Sequence, residues 1–338
     1  MADKRNPAVS NTLKRLRAVN YKRAGIYLYG AIVVLVLLAM VLLLQADIRP
    51  DDGDDLLRAA DEEIEAVLAS VEGQVSLPIK DIERVLPLPT SKPVWRQNAA
   101  AWGVGVNHPK IAIVIDDVGL SYDTSMAITE MAGPLTLSFL PYAELLPEQA
   151  RALKLAGHEL MVHLPMEPKL DTADPGPNAL LSHLEVPEFE RRIVWNLNRF
   201  DGFVGVNNHM GSLLTEKPGL MVRVMVHLRR GGYLFLDSLT SPNSVAGRAA
   251  KATGVPTISR DVFLDNERNI KAIMVQLAET EAIARRRGYA VAIGHPYDET
   301  LKALEFWMAG LEQKKLVLAP LSQIVSSREQ AKLGTAQN

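Results

Sequence analysis

Two adjacent aspartates, Asp116 and Asp117, and three histidines, His163, His209 and His295, are the residues of this 338-residue chain best suited to hydrolytic chemistry. Two imidazoles and a carboxylate make a competent site for zinc or another divalent metal, and they leave a coordination position open for water. A metal held in that way lowers the pKa of its water to about 7 and so supplies hydroxide at neutral pH. In such an arrangement Asp117, His163 and His209 are the ligands. Asp116 is then the base that takes the water's proton, and His295 the acid that protonates a leaving amine. The chain has no cysteine, which excludes thiolate ligands, a cysteine nucleophile and a disulfide framework. It also lacks a Gly-x-Ser-x-Gly elbow, a Walker loop and a His-Glu-x-x-His zinc motif. The stretch from His158-Glu159 to His163 has the wrong spacing for the last of these and lies on a strand.

The elements that must position these residues follow a β/α alternation from residue 110. Short apolar runs at 111–115, 135–140, 160–164, 203–206, 233–236, 256–259, 290–293 and 316–319 are the candidate strands. Helical spacing marks 146–156, 187–199, 218–230, 243–253, 268–287 and 299–313. The alternation predicts parallel βαβ units, and about eight strands in some 220 residues suit a complete or distorted (β/α) barrel better than an open sheet. In a barrel all strand C-termini open on one face, where such enzymes place their chemistry. Asp116 and Asp117 follow the first run, His163 falls in the last residues of the third, and Asn207, Asn208 and His209 follow the fourth. Asp237 follows the fifth, Arg260 and Asp261 the sixth, and His295 the seventh. Any one aspartate at such a place is more often a cap of the next helix or turn. Histidine has no special role as a cap, yet three of the seven histidines sit at these ends. The others have blander contexts: His158 in a turn, His227 on an amphipathic helix, His108 and His183 in polar loops. Glu167 lies four residues after His163, but Pro165 between them excludes a helical pair.

The averages (48% hydrophobic, 22% charged, net charge −2) describe a globular protein and offer no basic surface for nucleic acid. They conceal an uneven N-terminus. Residues 1–23 carry seven Lys and Arg against Asp3 alone, and 24–46 is then free of charge. Twenty-three uncharged residues, mostly Leu, Val, Ile and Ala, make a helix of roughly 34 Å, enough to cross a bilayer. Tyr27 and Tyr29 sit at one interface, and an acidic stretch follows the span. The positive-inside rule keeps the basic tail in the cytoplasm and sends the remainder across the plasma (inner) membrane, into the periplasm or its extracytoplasmic equivalent. A cleaved signal peptide fits less well, because the apolar run is long and Leu44-Gln45-Ala46 lacks the small residue three places before a cut. Residues 47–107 read as an acidic, Pro-containing linker with one amphipathic helix, whose apolar positions from Leu56 to Val71 offer a face for self-association. The barrel domain is expected over 108–327, with a short tail at 328–338.

Taken together, several segments resemble the divergent polysaccharide deacetylase family. These are Ile115-Asp116-Asp117-Val118-Gly119, Gly157-His158-Glu159, Val162-His163-Leu164-Pro165-Met166-Glu167 and Asn207-Asn208-His209-Met210-Gly211-Ser212. Phe235-Leu236-Asp237-Ser238, Arg260-Asp261-Val262-Phe263-Leu264-Asp265 and Ile293-Gly294-His295-Pro296 continue the match, which covers 109–325. The resemblance implies a distorted (β/α) barrel that removes N- or O-acetyl groups from cell-envelope glycans, peptidoglycan-like polymers included, with a divalent metal such as zinc. It carries the roles of base to Asp116, of aspartate ligand to Asp117, of first histidine ligand to His163 and of general acid to His295. Two departures from the standard metal-dependent polysaccharide deacetylases, to which this family is similar, stand out. Glu167 occupies the place of the usual second histidine, and Asn207-Asn208-His209 replaces an arginine–proline motif. His209 then supplies the missing imidazole, while Asp237 and Asp261 are expected as supporting partners of the histidines or of Arg260. Three functions remain open: a glycan deacetylase, a catalytically impaired descendant that binds a glycan or a partner protein, and a different metal-assisted hydrolase on the same barrel.

Overall fold

The nine strands among the described residues of this computed structural model all run parallel. The described residues are 58–67, 92–103 and 108–336. The strands are β1 (Lys110–Val118), β2 (Thr136–Phe139), β3 (Glu159–Met166), β4 (Gly205–Met210), β5 (Leu234–Asp237), β6 (Thr257–Ser259), β7 (Val262–Phe263), β8 (Tyr289–Gly294) and β9 (Val317–Leu318). Their order is β6-β5-β4-β3-β2-β1-β8-β7, with β9 beside β1. The helices are α1 (Val94–Gln97), α2 (Tyr122–Ile128), α3 (Leu146–Leu155), α4 (Val186–Leu197), α5 (Pro218–Gly231), α6 (Ala246–Thr253), α7 (Ile270–Arg287), α8 (Asp298–Met308) and α9 (Leu321–Ala336).

The two ends of this order are neighbours along the chain, and that forces the sheet to curl. From Ser259 to Val262 is three Cα steps, which can span roughly 11 Å at most. Within them Arg260 N–H bonds the Asp237 carbonyl of β5 at 3.0 Å, and Asp261 N–H bonds the Val291 carbonyl of β8 at 2.8 Å. One short segment thus pairs with β5 at its start and with β8 at its end. This is the curled parallel α/β architecture that the alternation predicts.

Because parallel strands are buried on both faces, each alternates between two apolar layers. Ile111, Ile113 and Ile115 point outward to the helix layer that holds Phe189, Met221 and Leu277. Ala112 and Val114 join Met161, Leu234, Leu236, Val291 and Ile293 on the inside of the curl. Trp95 of α1 and Leu321, Ile324 and Val325 of α9 belong to that inner cluster. Asn98 Nδ2 donates to the Phe203 carbonyl and Trp102 Nε1 to that of Leu318. Residues 92–103 are therefore part of the packed domain, although their composition reads as linker.

Two further expectations fall differently. The predicted span 24–46 lies outside the described residues, and among those described no helix is long and apolar enough to cross a membrane. Residues 58–67 are helical, as their spacing predicts. The described part of the face offered for self-association, Ala60, Ile64 and Val67, is, however, used within the chain. Ile64 is buried in the outer core with Ala60 and Val67 packed on it, and Val67 closes on Gly219 of α5. An apolar stripe on a helix is indifferent to whether its cover comes from another copy or from its own chain.

Candidate metal centre

Strand parity explains which side chains reach the mouth. Inward positions recur at every second residue. Beyond the apolar inner layer, the next inward residues are Asp116 on β1, Ser138 on β2, His163 on β3, Asn207 on β4, Ser238 after β5 and His295 after β8. All but His295 are almost fully buried. His209, two residues past Asn207, is next on β4.

Asp117 is out of phase with this set, and a backbone device brings it in. The β1–β2 register slips between Ile115 and Val118, and Asp117 takes φ 56°, a left-handed conformation uncommon for a non-glycine residue. Both aspartates consequently face the same space. Asp117 Oδ1 lies 2.9 Å from His209 Nδ1 and 3.3 Å from His163 Nε2. His163 Nε2 is 3.5 Å from Asp116 Oδ2, and His295 Nε2 is 3.8 Å from Asp117 Oδ2.

Asn207 organises the layer beneath. Its Oδ1 accepts from His163 Nδ1 at 2.9 Å and from the Ser138 hydroxyl, and its Nδ2 donates to Asp116 Oδ1 at 2.8 Å and to Ser238 Oγ at 3.1 Å. Fixing the proton of His163 on Nδ1 leaves the Nε2 lone pair of the neutral ring aimed at Asp117. A partner of this kind orients a ligating imidazole. His295 is held separately: Asp265 lies 3.0 Å from its Nδ1, accepts its backbone N–H at 2.6 Å, and takes the Thr300 hydroxyl at 2.8 Å.

Burial would raise the pKa of Asp117, but the imidazoles of His163 and His209 outweigh it and keep the carboxyl ionised well below the usual range. At Asp116 burial wins over His163, His295 and the Asn207 amide, and the pKa is pushed up. Burial alone would lower the pKa of His295; the Asp265 carboxylate reverses this and pushes it up. Environments that separate titratable groups in this manner suit one to accept and another to donate a proton.

The donors of Asp117, His163 and His209 all lie within 4.8 Å of one another, the compass of a single ion. Asp117 Oδ1 is buried and accepts no well-formed hydrogen bond, although two ring nitrogens approach it. A donor set of one carboxylate oxygen and two imidazole nitrogens fits a first-row divalent cation.

Other sequence candidates are placed elsewhere, for reasons of parity. Asp237 points away from the inner layer and caps its own loop, accepting from Leu239 N–H at 2.9 Å and the Ser244 hydroxyl at 2.7 Å. Asn208, also out of phase, accepts from Ser238 N–H at 2.9 Å and donates to the Met210 carbonyl. Asp261 receives Val291 N–H at 2.8 Å and pairs with Arg287, remote from the histidines. Glu167 takes Ser182 N–H at 2.6 Å, and its carbonyl accepts from Leu213 and Leu214, so it ties mouth loops together. Arg260 is half-buried and donates to the carbonyls of Ser238 and Leu239. Sequence reasoning missed Ser138 and the role of Asp265. The signal for Ser138 was its even spacing from Thr136; Asp265 required knowing that the chain changes strand partner at 260–261.

A curled parallel sheet with an Asp-His-His cluster at its mouth defines the structural class. The sequence comparisons narrow it: residues 113–325 match the model of the divergent polysaccharide deacetylases, and the chain belongs to that family. It is similar to the protein YibQ of Escherichia coli K12, 39% identical over 58% of this chain and 61% of YibQ. The chain thus spans about three fifths of that relative. A protein of Haemophilus influenzae is 34% identical over 60% of this chain and 72% of its own length. The crystal structure of ATU2773 from Agrobacterium tumefaciens C58 superposes with a TM-score of 0.66 at 28% identity, covering 69% of this chain and 95% of that one.

Proposed function

We propose that this chain is a membrane-anchored, exported deacetylase of cell-envelope glycans, working on a distorted (β/α) barrel with a divalent metal, zinc being the natural candidate. The observation that carries the reading is the convergence of Asp117, His163 and His209 between Asp116 and His295. The metal would be held by an Asp117 carboxylate oxygen, His163 Nε2 and His209 Nδ1, and when bound it supplies Lewis-acid polarisation and a water of lowered pKa. Asp116, its carboxyl raised by burial and steadied by Asn207, takes the proton of the attacking water. His295, its pKa pushed up by Asp265, gives a proton to the leaving amine or alcohol as the acyl bond breaks. Water and acetylated sugar become acetate and a free amine or hydroxyl, and both residues regain their starting protonation by proton exchange with solvent.

Placement at the plasma membrane rests on the sequence of 1–46: a basic cytoplasmic tail and an apolar span, with the catalytic domain on the far side. A second reading is favoured by one contact: Asp116 receives a neutral Asn207 amide where the standard metal-dependent deacetylases have an arginine. On that reading the chain binds a glycan or partner protein without turnover. Acetate release from a panel of N- and O-acetylated glycans, compared with Asp116→Asn, decides between them. The deacetylase reading expects release by the native chain and its near-abolition in the variant. No release from any glycan leaves the binding reading.

A further inference from the structure

His295 stands in the middle of a row of rings. The Phe263 ring meets it edge-on with centroids 5.4 Å apart, and Tyr297 stacks on it at 5.3 Å with planes 24° apart. Arg268 continues the row outward, its guanidinium carbon 3.5 Å above the Tyr297 ring. At the other end Arg260 lies 5.2 Å from the Phe263 ring centroid. The two guanidinium groups are not equivalent. Arg260 is half-buried, and its N–H groups are engaged by the carbonyls of Ser238 and Leu239. Arg268 is exposed, and among the described residues no carboxylate pairs with it. The neighbouring acids are engaged elsewhere: Glu267 with the Asn269 amide at 3.4 Å, and Asp298 with Lys302 at 4.0 Å.

A guanidinium laid flat on an aromatic ring keeps its N–H edge free, and that edge matches a carboxylate in bidentate geometry. Stacking also settles part of the side chain's rotamer freedom before any ligand arrives. The cation stands one ring beyond the proposed proton donor.

We propose that Arg268 and Tyr297 form a subsite for a carboxylate on the sugar adjoining the acetylated residue, so that the glycan taken by this site is acidic. This rests on the deacetylase reading for its register, but binding alone can test it. The probes are a tetrasaccharide of alternating N-acetylglucosamine and glucuronic acid and its uncharged methyl ester, titrated into the full-length, zinc-loaded chain in detergent. The native chain is expected to bind the acid about tenfold more tightly than the ester, the increment of one exposed charge-assisted pair. Arg268→Gln should remove that preference while leaving zinc affinity unchanged. Arg268→Lys should restore only part of it, because an ammonium is a point charge without the planar fork. Equal binding of acid and ester by the native chain, or a preference that survives in Arg268→Gln, overturns the subsite. Acetate release together with equal binding would sink the subsite alone. A preference without acetate release from any glycan would sink the deacetylase reading alone, and binding of neither probe would count against both.

Discussion

Oδ1 of Asn207 lies 2.9 Å from Nδ1 of His163, and the other end of the same carboxamide donates to Asp116 at 2.8 Å. One neutral side chain thereby fixes both an imidazole that faces the donor cluster and the carboxylate assigned the role of base. Asn207→Leu keeps the volume and removes both contacts. It should weaken zinc binding roughly 10–100-fold, the usual loss when the partner of a ligating histidine is removed. Zinc titration against a competing chelator reads this directly, with circular dichroism to confirm the fold. Unchanged affinity would mean that Asn207 does not orient His163.

Asp265 and His295 form the second couple. Asp265→Asn preserves shape and the bond from the His295 backbone, but it no longer stabilises an imidazolium. Acetate release should fall on the order of 10²–10⁴-fold while zinc affinity stays at the native value. A parallel loss of zinc would place His295 among the ligands instead.

His158 shows the opposite use of histidine. It accepts Leu135 N–H on Nδ1 at 3.2 Å and sits 3.1 Å from the Ile128 carbonyl through Nε2, so the neutral ring ties the end of α2 to the start of β2. Burial pushes its pKa down, against the pull of Ile128. A folded pKa below the unfolded value of about 6.5 means that the unfolded chain takes the proton first, so this stability is present above pH ~6.5 and lost as pH falls through the folded pKa. Urea midpoints between pH 8 and 5 should therefore fall less steeply in His158→Gln than in the native chain, from a lower starting value. Identical slopes would contradict the assignment.

Backbone contact between strands gives a prediction independent of function. A Cβ on Gly205 would lie 2.3 Å from the Leu234 carbonyl oxygen, whereas one on Gly247 in α6 meets nothing within 4 Å. Gly205→Ala should cost about 1–3 kcal/mol through overpacking. Gly247→Ala, in the first turn of α6, should instead gain about 0.4–1 kcal/mol by narrowing the unfolded ensemble. Equal melting temperatures for the two would refute the packing described for β4 and β5.

The β/α order was readable because both apolar layers of a parallel sheet leave continuous runs such as Ile111–Ile115. β7, only Val262–Phe263, was not, because its pairing depends on a partner change that no local pattern records. At the site, Asp116, His163 and His209 fall in phase with the inward face, and reading strand ends found them. Parity turns Asp237 and Asn208 outward, Asp237 toward the charge of Arg260, and the bulge that returns Asp117 to the cluster leaves no local signal. Asp261 read as a mouth residue because it follows an apolar run; the shift from β5 to β8 turns it to Arg287.

The most direct test of the account is metal analysis of the full-length chain. Protein purified without chelators should carry one divalent ion per chain, and a His163→Ala/His209→Ala variant of native circular dichroism should carry none. A native chain that takes up no divalent ion, or a double variant that retains it in full, would contradict the claim that Asp117, His163 and His209 form a metal centre.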